Sequence, residues 1–360
     1  MPFDVEDFAV TLPGDRSSSR GNRRLVAGWL FIVAAMIIVM VALGGATRLT
    51  GSGLSIMEWA PFRGTLPPMT NAEWERLFAL YKQIPQYELV NQGFGLSGFK
   101  QIFWLEWTHR LWGRLIGFVF LLPLIVFWAT GRIEPRLRPW LGLLFVLGGL
   151  QGAVGWFMVA SGFTDNSTSV SAYRLVIHLV LALALYAAVL WTGLGVLNPR
   201  PSITPVSRIL RGLAAATTAL VSVTIVAGGF VAGTHAGLDY NTYPLMDGRI
   251  VPEGYARLQP FIRNLTENLA TVQFNHRLLA TATAVTALAT VAFGLRMARD
   301  ARVRIRLFAL ASVVAAQYLL GIATLLLVVP ADVAVAHQVG ATLLLGTSLV
   351  LLHALRSGRR

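Results

Sequence analysis

The chain has 360 residues, of which 55% are hydrophobic and only 13% are charged, and it carries a net charge of +13 without a single cysteine. A charged fraction so far below the roughly 25% of an average soluble domain excludes an ordinary soluble protein. The lack of cysteine excludes disulfides, iron–sulfur clusters and thiolate metal sites, so any redox chemistry must use histidine, carboxylate or a bound cofactor.

Eight apolar runs are each long enough to cross a bilayer as a helix. The first is followed by GGATRLTGSGLSIMEWAP rather than by a small-residue cleavage pattern, so it is predicted to be a retained span. The sequence therefore predicts an all-α integral membrane protein with eight transmembrane helices. In chain order the runs cover residues 25–45, 103–130, 139–160, 171–196, 208–233, 267–295, 305–329 and 332–355.

The arginines are concentrated in alternate connections between these runs. They cluster at the N-terminus, after the second, fourth and sixth spans, and at the C-terminus, which eight spans would place on one side. The positive-inside rule assigns that side to the cytoplasm. We therefore expect a multi-pass protein of the bacterial inner membrane with both termini cytoplasmic, in contact with membrane lipid and with no nucleic-acid partner.

The second half of the chain repeats the first. Each repeat has four spans, so both units enter the membrane in the same orientation and are predicted to form two tandem four-helix bundles related by a pseudo-twofold axis. The matching segments are GGATRLTGSGLSIMEWAPFRGTLPP from Gly44 and GGFVAGTHAGLDYNTYPLMDGRIVP from Gly228, EWTHRLWG (106–113) and QFNHRLLA (273–280), and Gln151 with Gly155 and Gln317 with Gly321. The predicted divisions are a cytoplasmic tail (1–24), an N-terminal unit (25–196), a linker (197–207), a C-terminal unit (208–356) and a second tail (357–360).

One histidine lies near the outer end of each even-numbered span, two in each repeat: His109, His178, His276 and His337. A single histidine in a membrane helix is often only an interhelical hydrogen-bonding residue. Two imidazoles that face each other across a bundle form a bis-histidine haem site, whereas zinc and copper usually take three or four ligands. The four histidines are therefore predicted to be axial ligands of haem iron.

Three further basic residues lie close to this level. Arg110 and Arg277 each follow a histidine directly, so they point about 100° away from it on the helix. We expect them to reach either a haem propionate or the lipid headgroups. His235, in GTHAGLDYN, is predicted to be a solvated or interfacial residue, or to line a cofactor entrance.

Taken together, the motifs GGATRLTGSGLSIMEWAPFRGTLPP, EWTHR, GTHAGLDYNTYPLMDG and QFNHR resemble the haem A synthase family of cytochrome oxidase assembly, over about residues 25–355. The chain resembles the cysteine-free branch, which includes alphaproteobacterial and mitochondrial members. The resemblance implies an oxidoreductase that converts the C8 methyl of haem O to the formyl group of haem A for cytochrome c oxidase. It also implies that His109 and His178 hold the substrate haem O, and that His276 and His337 hold a permanent haem b.

The two repeats differ at one position beside the histidines. Glu106 lies three residues before His109, and Gln273 occupies the matching place in the second half. A carboxylate there could transfer protons or stabilise developing positive charge, and its structural alternative is an i,i+4 ion pair with Arg110. The resemblance implies that Glu106 is the catalytic carboxylate.

Two other classes of protein share parts of this pattern. A di-haem electron-transfer cytochrome would use the same histidines, but it has no evident need for a carboxylate beside only one haem. A transporter is compatible with parallel repeats, but the polar residues gather at the outer face alone. Partners implied by the family are haem O synthase, cytochrome oxidase assembly factors and an electron donor that the sequence does not identify.

Overall fold

The computed structural model describes residues 13–60, 63–164, 167–199 and 207–356, and over these residues it is helical without a β-strand. Within these described ranges, eight helices are long and apolar enough to cross a membrane, which confirms the predicted all-α, eight-span membrane protein. They are α1 (Pro13–Leu49), α4 (Leu96–Ala129), α5 (Arg138–Val159), α6 (Ala172–Leu197), α7 (Arg208–Thr234), α8 (Leu269–Met297), α9 (Ala301–Leu326) and α10 (Ala331–Ala354). Residues 1–12 of the first predicted tail, 200–206 of the linker and the second tail, 357–360, lie outside the described residues.

Two of the spans begin earlier than hydropathy predicted. α1 begins at Pro13 rather than near residue 25, and α4 begins at Leu96 rather than near residue 103. Hydropathy marks only the part of a helix that crosses the bilayer, whereas backbone hydrogen bonding continues into polar residues. As a consequence His109 lies about 20 Å along α4 instead of in its first turns.

The loop between α1 and α4, which the charge pattern predicts to be the first outer loop, contains among its described residues two α-helices that the sequence pattern did not predict, α2 (Asn71–Tyr81) and α3 (Pro85–Leu89). The side chain of Thr70 caps α2 by accepting a hydrogen bond from the backbone N–H of Glu73. Aromatic residues then hold the loop on α4, since Trp74 packs edge-on against Phe103 with ring centroids 4.8 Å apart. The loop is therefore a packed layer over the outer end of α4.

An exposed ion-pair network adds to this layer. Arg76 of α2 donates to both oxygens of Glu58, at 2.8 and 2.9 Å, and to Glu73. Hydrogen bonds from the Arg76 guanidinium hold the pKa of both carboxyl groups below their usual range. The network joins the segment after α1 to α2.

The spans of each half contact one another in sequence order. α1 packs against α4 and α6, and α5 packs against α4 and α6; in the second half α7 packs against α8 and α10, and α9 packs against α8 and α10. Between the halves, α1 contacts α10, and α6 contacts both α7 and α10. Each half therefore has its first and last spans at the boundary with the other half.

Polar bonds inside the membrane hold the first two spans of each half together. In the second half, the hydroxyls of Thr217 and Thr290 are 2.9 Å apart and join α7 to α8. In the first half, the indole N–H of Trp29 in α1 donates to the carbonyl of Val119 in α4 at 2.8 Å. That carbonyl lacks a helical donor because Pro123, four residues later, has no N–H. Trp29 therefore satisfies a carbonyl that Pro123 leaves open.

Candidate functional site

Glu106 is buried in α4, with 2% of its surface exposed, and both of its carboxylate oxygens accept hydrogen bonds. One carboxylate oxygen accepts hydrogen bonds from the Ser55 hydroxyl at 2.7 Å and from the Ile56 N–H at 2.9 Å. The other accepts from Nε and Nη2 of Arg110, at 3.0 and 2.5 Å. The i,i+4 ion pair that the sequence offered as the structural alternative is therefore formed.

The second half contains the same arrangement with an amide in place of the carboxylate. Nε2 of Gln273 donates to the carbonyls of Ala236 and Asp239, at 2.7 and 2.5 Å. Its Oε1 accepts from Nη2 of Arg277 at 2.9 Å, as Glu106 accepts from Arg110. Glu106 receives hydrogen bonds from its loop, whereas Gln273 donates hydrogen bonds to its loop.

Both arginines hold the outer loop of their own half. Arg110 donates to the carbonyls of Ile56 and Glu58, at 2.7 and 2.9 Å. Arg277 donates to the carbonyls at the matching repeat positions, Tyr240 at 2.6 Å and Thr242 at 2.8 Å. The predicted propionate contact of Arg110 and Arg277 stays a prediction, and in this structure their guanidinium groups are engaged with the loops.

Each of the four predicted ligand histidines lies against a glycine of a neighbouring helix. A Cβ added at Gly155 of α5 would come within 2.9 Å of Cε1 of His178, and one at Gly321 of α9 within 2.9 Å of Cε1 of His337. The corresponding distances are 3.2 Å from Gly44 to Nε2 of His109 and 3.0 Å from Gly228 to Cε1 of His276. Because glycine has no side chain, each imidazole ring can occupy the space beside the glycine backbone.

A glutamine one turn before the glycine contacts the second histidine of each half. Nε2 of Gln151 lies 3.0 Å from Nδ1 of His178, and Nε2 of Gln317 lies 3.1 Å from Nδ1 of His337. A ligating histidine usually donates its other ring N–H to a protein acceptor, which fixes the orientation of the ring. Oε1 of each glutamine, buried and without a partner among the described residues, is that acceptor once the amide is turned over. The repeated glutamine and glycine thus form one cradle on α5 and one on α9.

The structure brings the histidines together in pairs within each half. His109 lies within electrostatic range of His178, and His276 within range of His337. Among the described residues, no three or more His, Asp or Glu side chains converge as a metal cluster. The histidines near one another therefore number two in each half, and their predicted role as haem ligands stays a prediction.

His235 does not belong to either histidine pair and lies at the outer end of α7. It caps that helix in the left-handed conformation, with φ 60°. Partial burial, followed by the nearby charge of Arg48, lowers the pKa of its imidazole below the usual value. The residue is exposed as a whole, and its two sequence interpretations, a solvated or interfacial residue or the lining of a cofactor entrance, stay predictions.

Comparison with known proteins identifies the family. A model of the COX15-CtaA family, described as cytochrome oxidase assembly protein, matches residues 27–349. The chain belongs to this family. Heme A synthase of Granulibacter bethesdensis is 64% identical over 339 residues, which cover 94% of this chain and 89% of that protein. Heme A synthase 2 of Acidiphilium cryptum is 48% identical, covering 93% and 92% of the two chains, and heme A synthase of Rhodospirillum centenum is 49% identical, covering 92% and 89%.

The sequence did not point to several residues that surround the candidate site. Ser55 was not singled out, although its hydroxyl bonds Glu106. Gly44 and Gly228 appeared only as repeat markers, and their contact with His109 and His276 depends on helix packing that no local pattern encodes. The recurrence of glycine at matching places in both repeats was the one signal that could have pointed to them.

Proposed function

We propose that this chain is a haem A synthase, an oxidoreductase that converts the C8 methyl of haem O to a formyl group. The observation that carries the proposal is the difference between two otherwise matching clamps, Glu106 with Arg110 and Gln273 with Arg277. Its membership of the COX15-CtaA family and its similarity to relatives named heme A synthase support it.

The residues present fit haem as a ligand. We infer that His109 and His178 bind the substrate haem O, and that His276 and His337 bind a resident haem b. Two histidines per half would provide the two protein ligands that a bis-histidine haem needs. When bound, haem b supplies an iron that can change oxidation state.

The division into two pseudo-twofold four-helix units is part of this proposal. Two sets of contacts support it. Within each half, the four spans contact one another in a closed ring. Between the halves, α1 contacts α10 and α6 contacts α7, and a pseudo-twofold axis would exchange these two contacts. The corresponding loop bonds of Arg110 and Arg277 give further support. Such an arrangement would hold both haems at one depth.

Each residue of the first site has a distinct role in this proposal. His109 and His178 hold the substrate, and Gln151 holds the ring of His178 in place. Glu106 presents a negative charge beside the substrate site and stabilises positive charge that develops at the carbon being oxidised. Arg110, Ser55 and the Ile56 N–H orient that carboxylate in advance, so that it does not have to rearrange during the reaction.

The location follows from the charge pattern. The chain is a multi-pass membrane protein, and we infer that it lies in the bacterial inner membrane with both termini in the cytoplasm. The site then faces the outer side. The preceding haem O synthase, oxidase assembly factors and an electron donor are the partners that this function requires.

The test uses Glu106→Gln, with Glu73→Gln as a matched control that changes a carboxylate of α2 bonded to Arg76 instead. Both variants and the wild type would be purified in mild detergent, reduced with dithionite for absorption spectra, and extracted with acid for haem chromatography. We expect wild type and Glu73→Gln to contain haem b with haem O or haem A. Glu106→Gln should keep haem b and accumulate haem O or a partly oxidised haem.

A di-haem electron-transfer cytochrome is the competing function. It predicts two equivalents of haem b in all three proteins, with identical spectra. That result would contradict the synthase proposal, although it would still support two bis-histidine haem sites. A wild-type protein without haem would contradict both functions.

A further inference from the structure

Arg48 lies at the outer end of α1, close to two glycines that pack against other helices. It lies one helical turn after Gly44, which packs on His109, and three residues after Gly45, which packs on Gln338 of α10. Residues three and four apart share one face of a helix. Arg48 therefore lies on the face of α1 that is turned towards both the first histidine pair and the boundary with the second half.

The guanidinium of Arg48 lacks the partners that the other site arginines have. Its Nη2 is buried and has no hydrogen-bond partner within the described part of the chain. None of the ion pairs found among those residues includes Arg48, whereas Arg110 is paired with Glu106. Because a buried charge is unfavourable without a counter-charge, this position is suited to an anion that the polypeptide itself does not supply.

A second basic group lies close by. His235, at the end of α7, is within electrostatic range of Arg48. The repeat position that matches Arg48 is Ala232, one turn after Gly228, so the second half has no equivalent arginine. The basic pair therefore lies at the outer ends of α1 and α7 and is not a feature of the repeat.

We propose that Arg48 binds a propionate carboxylate of haem at the outer end of α1, with His235 at the mouth of the same site. The proposal rests on the proposed function, because it requires haem on the nearby histidines. An arginine binds a carboxylate through two parallel hydrogen bonds, which matches an unpaired guanidinium edge. It also gives the propionate a partner that is not occupied by loop carbonyls, unlike Arg110 and Arg277.

The test compares Arg48→Gln and Arg48→Lys with Arg174→Gln in the full-length, haem-loaded protein. Arg174 is a matched control at the outer end of α6, where it donates to the Phe157 carbonyl at 2.8 Å and stacks on the Phe157 ring. Midpoint potentials would be measured by redox titration, and haem release by transfer to apomyoglobin. Thermal unfolding would check that the variants remain folded.

We expect Arg48→Gln to lower the midpoint potential of one haem, because a positive charge near a propionate favours the reduced state. Haem transfer from this variant should be several-fold faster than from the wild type. Arg48→Lys should retain part of both properties, and Arg174→Gln should match the wild type. The Lys variant keeps the test decisive if Arg48→Gln does not fold.

Three results would overturn the proposal. Equal potentials and release rates in Arg48→Gln and wild type would exclude the propionate contact while leaving the synthase function intact. Unchanged haem with loss of a co-purifying anionic lipid would assign Arg48 to a lipid phosphate instead. A wild-type protein without haem would overturn this inference together with the proposed function.

Discussion

At the scale of single residues, the two clamps show how one atom changes what a buried position can bind. Glu106 accepts hydrogen bonds from Ser55 and Ile56, whereas Gln273 donates to Ala236 and Asp239. The local backbone of each half is thus matched to its own side chain. The difference is chemical rather than positional, since both side chains pair with an arginine four residues later.

This matching predicts that Gln273→Glu destabilises the second half. A carboxylate would point at the carbonyl oxygens of Ala236 and Asp239, so two buried acceptors would lose their donor and repel the new charge. We expect a loss of about 1–3 kcal/mol for each unsatisfied group. Thermal unfolding in detergent measures it, and Gln273→Leu separates the lost hydrogen bonds from the repulsion; equal stability of the Glu variant and the wild type would contradict the prediction.

The glycines behind the histidines lead to a second prediction. Gly155→Ala would press its Cβ on the imidazole of His178 and displace the ring, so we expect loss of the low-spin bis-histidine spectrum of the first haem site. Gly148→Ala is the control on the same helix, because nothing lies within 4 Å of the added Cβ there. Electron paramagnetic resonance of the oxidised proteins distinguishes them; a normal low-spin signal from Gly155→Ala would show that the glycine is dispensable.

The sequence predicted the ligand types but not what surrounds them. Histidine is rare in apolar helices, so His109, His178, His276 and His337 stood out against their neighbours. Ser55 and Arg48 did not, because hydroxyl and basic residues are common at the ends of spans. Their roles depend on which helices pack together, and that information is spread over the whole chain.

At the scale of elements, α1 and α4 depend on each other through Trp29 and Val119. Within hydrocarbon, a backbone carbonyl without a donor is costly because no water can replace it. Pro123 creates such a carbonyl in α4 and the Trp29 indole satisfies it at 2.8 Å. Pro123 is therefore compatible with a membrane-spanning α4 only when α1 packs against that helix.

We predict that Trp29→Phe destabilises the protein by about 1–3 kcal/mol through the unsatisfied Val119 carbonyl. Pro123→Ala would restore the helical N–H, so the double variant should lose less than Trp29→Phe alone. A double-mutant cycle on thermal or denaturant unfolding in detergent measures the coupling. Strictly additive effects would mean that the indole and the proline act independently.

At the scale of the whole molecule, hydropathy predicted the number and order of the spans, because each must satisfy the same bilayer thickness. It could not predict α2 and α3, which are stabilised by the capping side chain of Thr70 and by aromatic packing on α4. It also set the starts of α1 and α4 too late. These errors share one cause, since polar residues outside the bilayer form helices for reasons unrelated to hydropathy.

The predicted topology can be tested through the lack of cysteine, since any introduced thiol is unique. Leu66→Cys lies in the first outer loop at a residue that is 74% exposed. Arg299→Cys lies in the connection between α8 and α9, where the residue is also exposed. In intact spheroplasts a membrane-impermeant maleimide should label only Leu66→Cys, and both after permeabilisation; the reverse pattern would place the termini outside.

The bond between Trp29 and Val119 also has a consequence for biogenesis. During synthesis α1 emerges from the ribosome before α4, so the indole is already in the membrane when the proline-containing span arrives. If the order were reversed in a circular permutant, α4 would enter the bilayer first, and the Val119 carbonyl would have no hydrogen-bond donor until α1 was inserted. The order of the chain therefore supplies the donor before the acceptor that depends on it.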